Sequence, residues 1–270
     1  PEEGRLASGL MGKGRLPEPV KIVEKALELL GAAGPGAADG GSAKTAAAHA
    51  RDLAGRRVLV TAGTTWEPFD PVRFIGNRST GKMGYAVAAA AAARGAEVVL
   101  VHGPTSLEPP AGVRAVAVES CQQMLEACLR EFPGCDIAVA AAAPADYRPA
   151  TVASEKIKKE RDELTITLVK NPDIIAELGR RKRPGQVTVA FAAETENLVA
   201  SARQKLVSKN ADFVVANDVT QEGAGFGTET NRVTFVFPDG LEELPLMSKR
   251  EVADRILDRA AALLGARSDA

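Results

Sequence analysis

The stretch Val58-Leu59-Val60-Thr61-Ala62-Gly63-Thr64-Thr65 is followed further on by Gly81-Lys82-Met83-Gly84, which leads into an alanine-rich run ending at Arg94. The first five residues are short-run apolar and β-branched without alternation, the pattern of a strand covered on both faces. The alanine-rich run has helical composition. The same alternation continues along the chain. Runs Glu97 to Val101, Val113 to Val118, Ile137 to Ala142, Val187 to Ala193 and Phe213 to Ala216 read as further strands. Helical patterns, Gly81 to Arg94, Ser120 to Phe132, Pro172 to Arg181 and Asn197 to Lys209, fall between them. That order predicts an α/β fold, an open doubly wound Rossmann-like sheet with flanking helices.

The tail departs from this pattern. Arg232 to Phe237 and Leu241 to Leu246 flank Asp239-Gly240, which predicts a β-hairpin with the positive φ angles of a type I′ turn. A last helix is expected from Ser248 to Leu264, with Ser248 and Glu251 spaced as a capping box. Between residues 31 and 55 the chain is rich in Ala and Gly with no apolar period, the composition of a linker. We expect a short front segment over 1–30, a main domain over 56–265 and a tail over 266–270. The front segment holds one amphipathic stretch, Pro19 to Leu30, too short to make a core alone.

The 270 residues suffice for one sizeable core. A net charge of -1, from 34 basic and 35 acidic residues, offers no global field for nucleic acid or an anionic membrane. No apolar run is long enough to cross a bilayer, and the polar opening Pro1-Glu2-Glu3-Gly4 is unlike a secretory signal, so a cytoplasmic location is expected. Cys121, Cys128 and Cys135 form no metal-type spacing and read as small buried residues. The two histidines, His49 and His102, lie near no nucleophile signature.

In open α/β sheets ligands gather at the carboxyl ends of the strands, which directs attention to the loop after Ala62. It lacks a G-x-G-x-x-G dinucleotide fingerprint. Gly76 to Lys82 fits the start of a P-loop, but Met83 stands where a hydroxyl is needed and the strand lies too far upstream. What survives is a helix N-terminus with glycines and hydroxyls, able to face an anion. Asn77, in its glycine-flanked turn, either tolerates a left-handed turn or places hydrogen bonds on an oxygen developing charge. Further on, Glu155-Lys156-Ile157-Lys158-Lys159 is a solvated face or an anion clamp, and it precedes an expected alternating strand from Leu164 to Val169.

Thr61-Ala62-Gly63, Trp66-Glu67-Pro68 and Asp70-Pro71-Val72-Arg73-Phe74-Ile75-Gly76-Asn77-Arg78-Ser79-Thr80-Gly81-Lys82-Met83-Gly84 together resemble the signature of phosphopantothenate-cysteine ligases of the bacterial type, over about 55–264. The resemblance implies that Asn77 is catalytic and that Lys156 takes part in converting an acyl intermediate. It also implies nucleotide contacts at Ala140, Ala141, Ala142, Asp146 and Lys156. The same holds for Pro172, Asp173, Ile174 and Ile175, then for Phe191, Lys205 and Lys209. Several have plainer alternatives: Phe191 as core, Lys205 and Lys209 as a solvated stripe, Asn171-Pro172-Asp173 as a helix cap; Asp146 could meet ribose, base or metal. Asn217-Asp218-Val219, Gly223 to Gly227 and Asn231 look family-like without an assigned role.

The activity implied is CTP-dependent joining of 4'-phosphopantothenate to L-cysteine, with Mg²⁺, in a homodimer whose lysine-bearing segment reaches the partner's site. No metal ligands follow from the sequence. Residues 6–19 resemble the substrate clamp of the flavin-dependent phosphopantothenoylcysteine decarboxylase fused to such ligases, with Ser8 where many relatives carry a catalytic cysteine. A hydroxyl is a far weaker proton donor than a thiol, so decarboxylation is not expected from this chain, and FMN is expected only in an intact fused protein. Two other classes compete: a nicotinamide-dependent dehydrogenase, disfavoured by the missing fingerprint, and a non-catalytic nucleotide-sensing module.

Overall fold

The computed structural model describes residues 2–5, 11–15, 51–159, 162–194, 196–218, 225 and 227–268. The chain divides into two compact units, 1–49 and 50–270. In the first, β1 (Glu2–Arg5) pairs antiparallel with β2 (Met11–Arg15). Ser8 and the stretch Pro19 to Leu30 lie outside the described residues.

The second unit takes in residues ahead of position 56. Leu53 is buried to 1% exposure and its N–H donates to Arg94 O, while Asp52 pairs with the buried Arg94 guanidinium. The sheet is built from β3 (Arg57–Ala62), β6 (Glu97–His102), β7 (Val113–Ala117), β8 (Ile137–Ala140), β11 (Val187–Glu194) and β12 (Phe213–Asp218), all parallel. β14 (Val233–Val236) and β15 (Leu241–Glu243) extend it antiparallel beyond β12. Across the sheet the order is β15-β14-β12-β11-β8-β3-β6-β7, so the parallel strands, counted in chain order, run 3-2-1-4-5-6. The doubly wound expectation is met, with the strand order of the dinucleotide-binding folds.

Alternation along β3 sorts side chains between the two faces. Val58, Val60 and Ala62 join a core with α1 (Lys82–Ala93) and α5 (Lys249–Ser268), while Leu59 joins one with α2 (Cys121–Glu131) and α3 (Ile174–Arg181). α4 (Leu198–Ser208) covers β11 and β12 on that second side through Ala202 and Leu206. The three cysteines are buried and free, and burial pushes their thiols up to about 12, 12 and 11 for Cys121, Cys128 and Cys135. The capping box at Ser248 and Glu251 forms in both directions, at 2.8 and 3.2 Å.

Two local expectations are corrected. The β14–β15 hairpin turns on Pro238-Asp239, with Phe237 N donating to Gly240 O at 2.9 Å, and neither Asp239 nor Gly240 has a positive φ. Proline at the first loop position fixes a negative φ and excludes a type I′ turn. The strand expected from Leu164 to Val169 is only β10 (Leu168–Lys170), paired antiparallel with β9 (Tyr147–Pro149) as a separate two-stranded piece. Leu164, Leu168 and Val169 are exposed: the alternation has no core beneath it to select one face. No helix among the described residues is long and apolar enough to cross a membrane.

Candidate functional site

The parallel order reverses between β3 and β8, and ligand crevices form at such a reversal. Here a cavity of about 340 Å³ opens at their carboxyl ends, between Thr61 of β3 and the segment from Ala140 to Asp146 after β8. Backbone and hydroxyl groups lace these two loops together. Ala142 N donates to Thr61 Oγ1 at 3.2 Å, Ala143 N to Gly63 O at 2.8 Å, and Ala145 N to Thr65 Oγ1 at 3.0 Å. The loop after β6 approaches the same turn closely enough to require glycine: a Cβ at Gly103 would stand 1.6 Å from Thr64 O. Gly81, the N-cap of α1, has φ 86 and packs against Gly63, which delivers the start of α1 to the cavity without a side chain in between.

Most of the sequence-assigned residues come together there. Ala140 at the end of β8, and Ala141, Ala142 and Asp146 in the loop after it, line the cavity. Pro172, Asp173, Ile174 and Ile175 line it from the start of α3, and Phe191 from β11. Lys205 and Lys209 line it from the end of α4, so one face of that helix does point inward. Phe191 also packs against the core, so its plainer reading holds while the residue remains in the lining. Asp173 does two things as well: Oδ1 caps α3 by accepting from Ala176 N at 3.0 Å, and Oδ2 pairs with Lys209. Lys205 in turn donates to Glu194 Oε1 at 2.8 Å. Asp146 is exposed at the mouth, and its carboxylate makes no hydrogen bond to a described residue.

Asn77 sits at the rim. Its N–H donates to Thr64 Oγ1 at 3.0 Å, and Nδ2 donates to Ala143 O at 3.2 Å and Pro144 O at 3.0 Å. Both amide protons are thus held by the loop after β8. Donation to a substrate oxygen requires exchange with one of these carbonyls, whereas Oδ1 can meet a donor at once.

Lys156 is exposed and outside the cavity. Its neighbour Ile157 is tied down instead: Ile157 N donates to Asp70 Oδ2 at 3.2 Å, and Arg73 Nη2 donates to Ile157 O at 3.1 Å. The buried Asp70 carboxylate also accepts from Val72 N and from the Arg73 backbone and guanidinium. The Arg73 guanidinium, with these backbone donors, holds the Asp70 carboxyl well below the usual carboxylate range.

The other end of the cavity is formed by Ser79, Thr80, Lys82, Asn217, Gly225, Gly227, Asn231 and Lys249. Sequence reasoning gave Lys82 and Lys249 no role. Each is the first residue of a helix, where a lysine looks like any exposed helix lysine, and only burial in the folded chain distinguishes Lys249. Among the described residues no group of three or more His, Cys, Asp or Glu gathers to hold a metal ion.

An open α/β sheet with a cavity at its strand reversal, lined by lysines, defines a protein of Rossmann-like fold. The family model for the DNA/pantothenate metabolism flavoprotein C-terminal domain matches residues 53–264, and the chain belongs to that family. It is 46% identical, over 97% of its length, to the coenzyme A biosynthesis bifunctional protein CoaBC of Bacillus subtilis, of which it covers 61%. It is 43% identical, over 98% of its length, to a cysteine/cysteine sulfinic acid decarboxylase of an unknown prokaryotic organism, covering 70% of it. The crystal structure of the C-terminal domain of a CoaBC protein has the same fold, with TM-score 0.69 and 44% identity, over 80% of this chain and 98% of that one. The chain thus spans about three fifths of the length of the B. subtilis relative.

Proposed function

We propose that this chain joins 4'-phosphopantothenate to L-cysteine at the expense of CTP, the ligase step of coenzyme A synthesis. The observation that carries the reading is the cavity at the β3–β8 reversal, which gathers Ala140 to Ala142, Asp146, Phe191, Lys205 and Lys209 with Asn77 fixed at its rim. The relatives named for coenzyme A biosynthesis support the same reading.

A carboxylate resists attack by an amine until one oxygen becomes a leaving group. A carboxylate oxygen of phosphopantothenate attacks the α-phosphorus of CTP; the bond to the β-phosphate oxygen breaks and pyrophosphate leaves. The cysteine amine then attacks the acyl carbon, loses a proton, and CMP departs. Lys205 and Lys209 serve the nucleotide from within the cavity, exchanging Glu194 and Asp173 for phosphate oxygens. Asn77 orients the acyl centre through its amide. Lys156, on its exposed segment, serves the second step, and the family resemblance supports its reaching towards the site of a partner subunit. Mg²⁺ fits the mouth of the cavity, where the Asp146 carboxylate is available as one oxygen ligand beside phosphate oxygens. When bound, the ion offsets phosphate charge.

Pyrophosphate release is measured with phosphopantothenate under CTP, ATP or no nucleotide, with and without cysteine. The reading expects release with CTP and phosphopantothenoylcysteine only when cysteine is present. Carbon dioxide release from cysteine or cysteine sulfinate without nucleotide would instead favour an activity like that of the decarboxylase relative.

A further inference from the structure

Lys249 is 7% exposed and lines the end of the cavity that no assigned residue occupies. Nζ lies 3.4 Å from Gly225 O and 3.2 Å from Thr228 Oγ1, and it also donates to Thr228 O. The Lys249 backbone N–H donates to Glu229 O at 2.9 Å. Every one of these acceptors belongs to a single segment. From the N-terminus of α1, Lys82 Nζ donates to Gly227 O at 2.7 Å and to Glu229 Oε1 at 2.5 Å. Downstream the segment is pinned by β13 (Thr230–Asn231), which pairs with β16 (Met247–Ser248) next to Lys249 itself.

A buried ammonium is costly unless all its protons are bonded. No carboxylate of a described residue forms an ion pair with Lys249, so its hydrogen bonds to the segment, with the field of the Glu229 carboxylate, partly offset that burial. Gly225 and Gly227, which these bonds hold, and Asn231, held by β16, form a wall of the cavity that Lys205 and Lys209 line from α4. Asn77 lies at the rim, outside that lining.

We propose that Lys249, seconded by Lys82, is a positioning residue that holds Gly225 and residues 227–230 as a fixed wall of the cavity, and so sets nucleotide affinity without touching the reacting atoms. The inference rests on the nucleotide reading of the cavity given above.

The test uses the full chain. CTP binding is measured by calorimetry with CTP alone, amide hydrogen exchange is followed over 227–231, and kinetics are compared for Lys249→Met, Lys249→Arg and Lys82→Gln. In folded Lys249→Met, binding of CTP weakens about tenfold and KM for CTP rises in parallel. Under the same conditions kcat and KM for phosphopantothenate stay within about twofold, and exchange over 227–230 accelerates. Lys249→Arg, which keeps charge and donors, recovers most of the affinity. Should Lys249→Met fail to fold, Lys82→Gln carries the test, with CTP binding about threefold weaker and the same faster exchange. Unchanged CTP affinity and unchanged exchange in either folded variant would overturn the proposal, as would a fall in kcat at constant KM. A wild-type chain that binds CTP but never releases pyrophosphate defeats the ligase reading and leaves this wall assignment standing.

Discussion

Two sets of lysines have been assigned to one reaction, and the fold treats them differently. Lys205 and Lys209 rise from the end of α4 into the cavity, each already paired with a carboxylate, Glu194 or Asp173. Lys156 stands exposed on a segment fastened by Ile157 to Asp70 and Arg73, away from the cavity of its own chain. The first pair is preorganised on a rigid helix, as nucleotide binding requires. The second is placed at the end of a tether, as a group delivered to another site would be. Under the proposed function, a single chain would therefore hold a nearly complete nucleotide site and an incomplete acyl-transfer site.

The largest effect concerns the acyl side. Asn77→Ala should lower turnover by on the order of 10² to 10³, the scale of losing one positioned hydrogen-bonding group, with folding intact. Lys156→Gln should lose turnover while the acyl-cytidylate accumulates, detected by mass spectrometry. If Lys156 serves a partner's site, mixing the two inactive variants restores about a quarter of wild-type activity, because mixed dimers hold one site with both residues. No recovery on mixing would break the comparison and return Lys156 to its own chain.

A smaller effect belongs to the cavity. Lys205→Ala should raise KM for CTP about tenfold, as expected for losing one charge-assisted contact, and leave KM for cysteine unchanged. Equal changes in both constants would show that this lysine is no part of a separate nucleotide site.

The smallest concerns the tether and depends on pH. The folded-state pKa of Asp70 lies below its ordinary 3.8, so the stability it contributes is present above that value and is lost as pH falls below it, through the depressed folded pKa. Hydrogen-exchange protection at Ile157 should fall on acidification below about pH 4, and Asp70→Asn should lack that protection already at neutral pH. Protection at Ile157 that is unaffected by Asp70→Asn would detach the segment from this anchor.

Much of this arrangement is legible in the sequence where burial is two-sided. The Val-rich runs at Val58 and Val98 and the alanine run after Gly81 have one stable place, between helices, and the order of strands and helices then fixes the sheet type. Legibility fails where context decides. Leu164 to Val169 alternates, but nothing covers it, so only Leu168–Lys170 pairs. Asp239-Gly240 carries a turn signal that the preceding Pro238 overrides. Within the site, Asp146, Phe191, Lys205 and Lys209 were reachable through a family likeness together with their places after strands or on one helix face. Lys249 was not, because a lysine following a helix cap carries no mark of the loop that will fold over it. Asn77 is singled out by the same likeness, yet the engagement of its amide protons by Ala143 and Pro144 is a property of the folded loops alone.

The central claim is that the carboxylate of phosphopantothenate is activated on the α-phosphorus of a nucleotide held in the β3–β8 cavity. Phosphopantothenate labelled with heavy oxygen in its carboxylate tests it directly. After one turnover with CTP and cysteine, the account predicts one labelled oxygen in CMP and none in pyrophosphate. Label in orthophosphate or pyrophosphate, or CMP free of label while phosphopantothenoylcysteine forms, would contradict it.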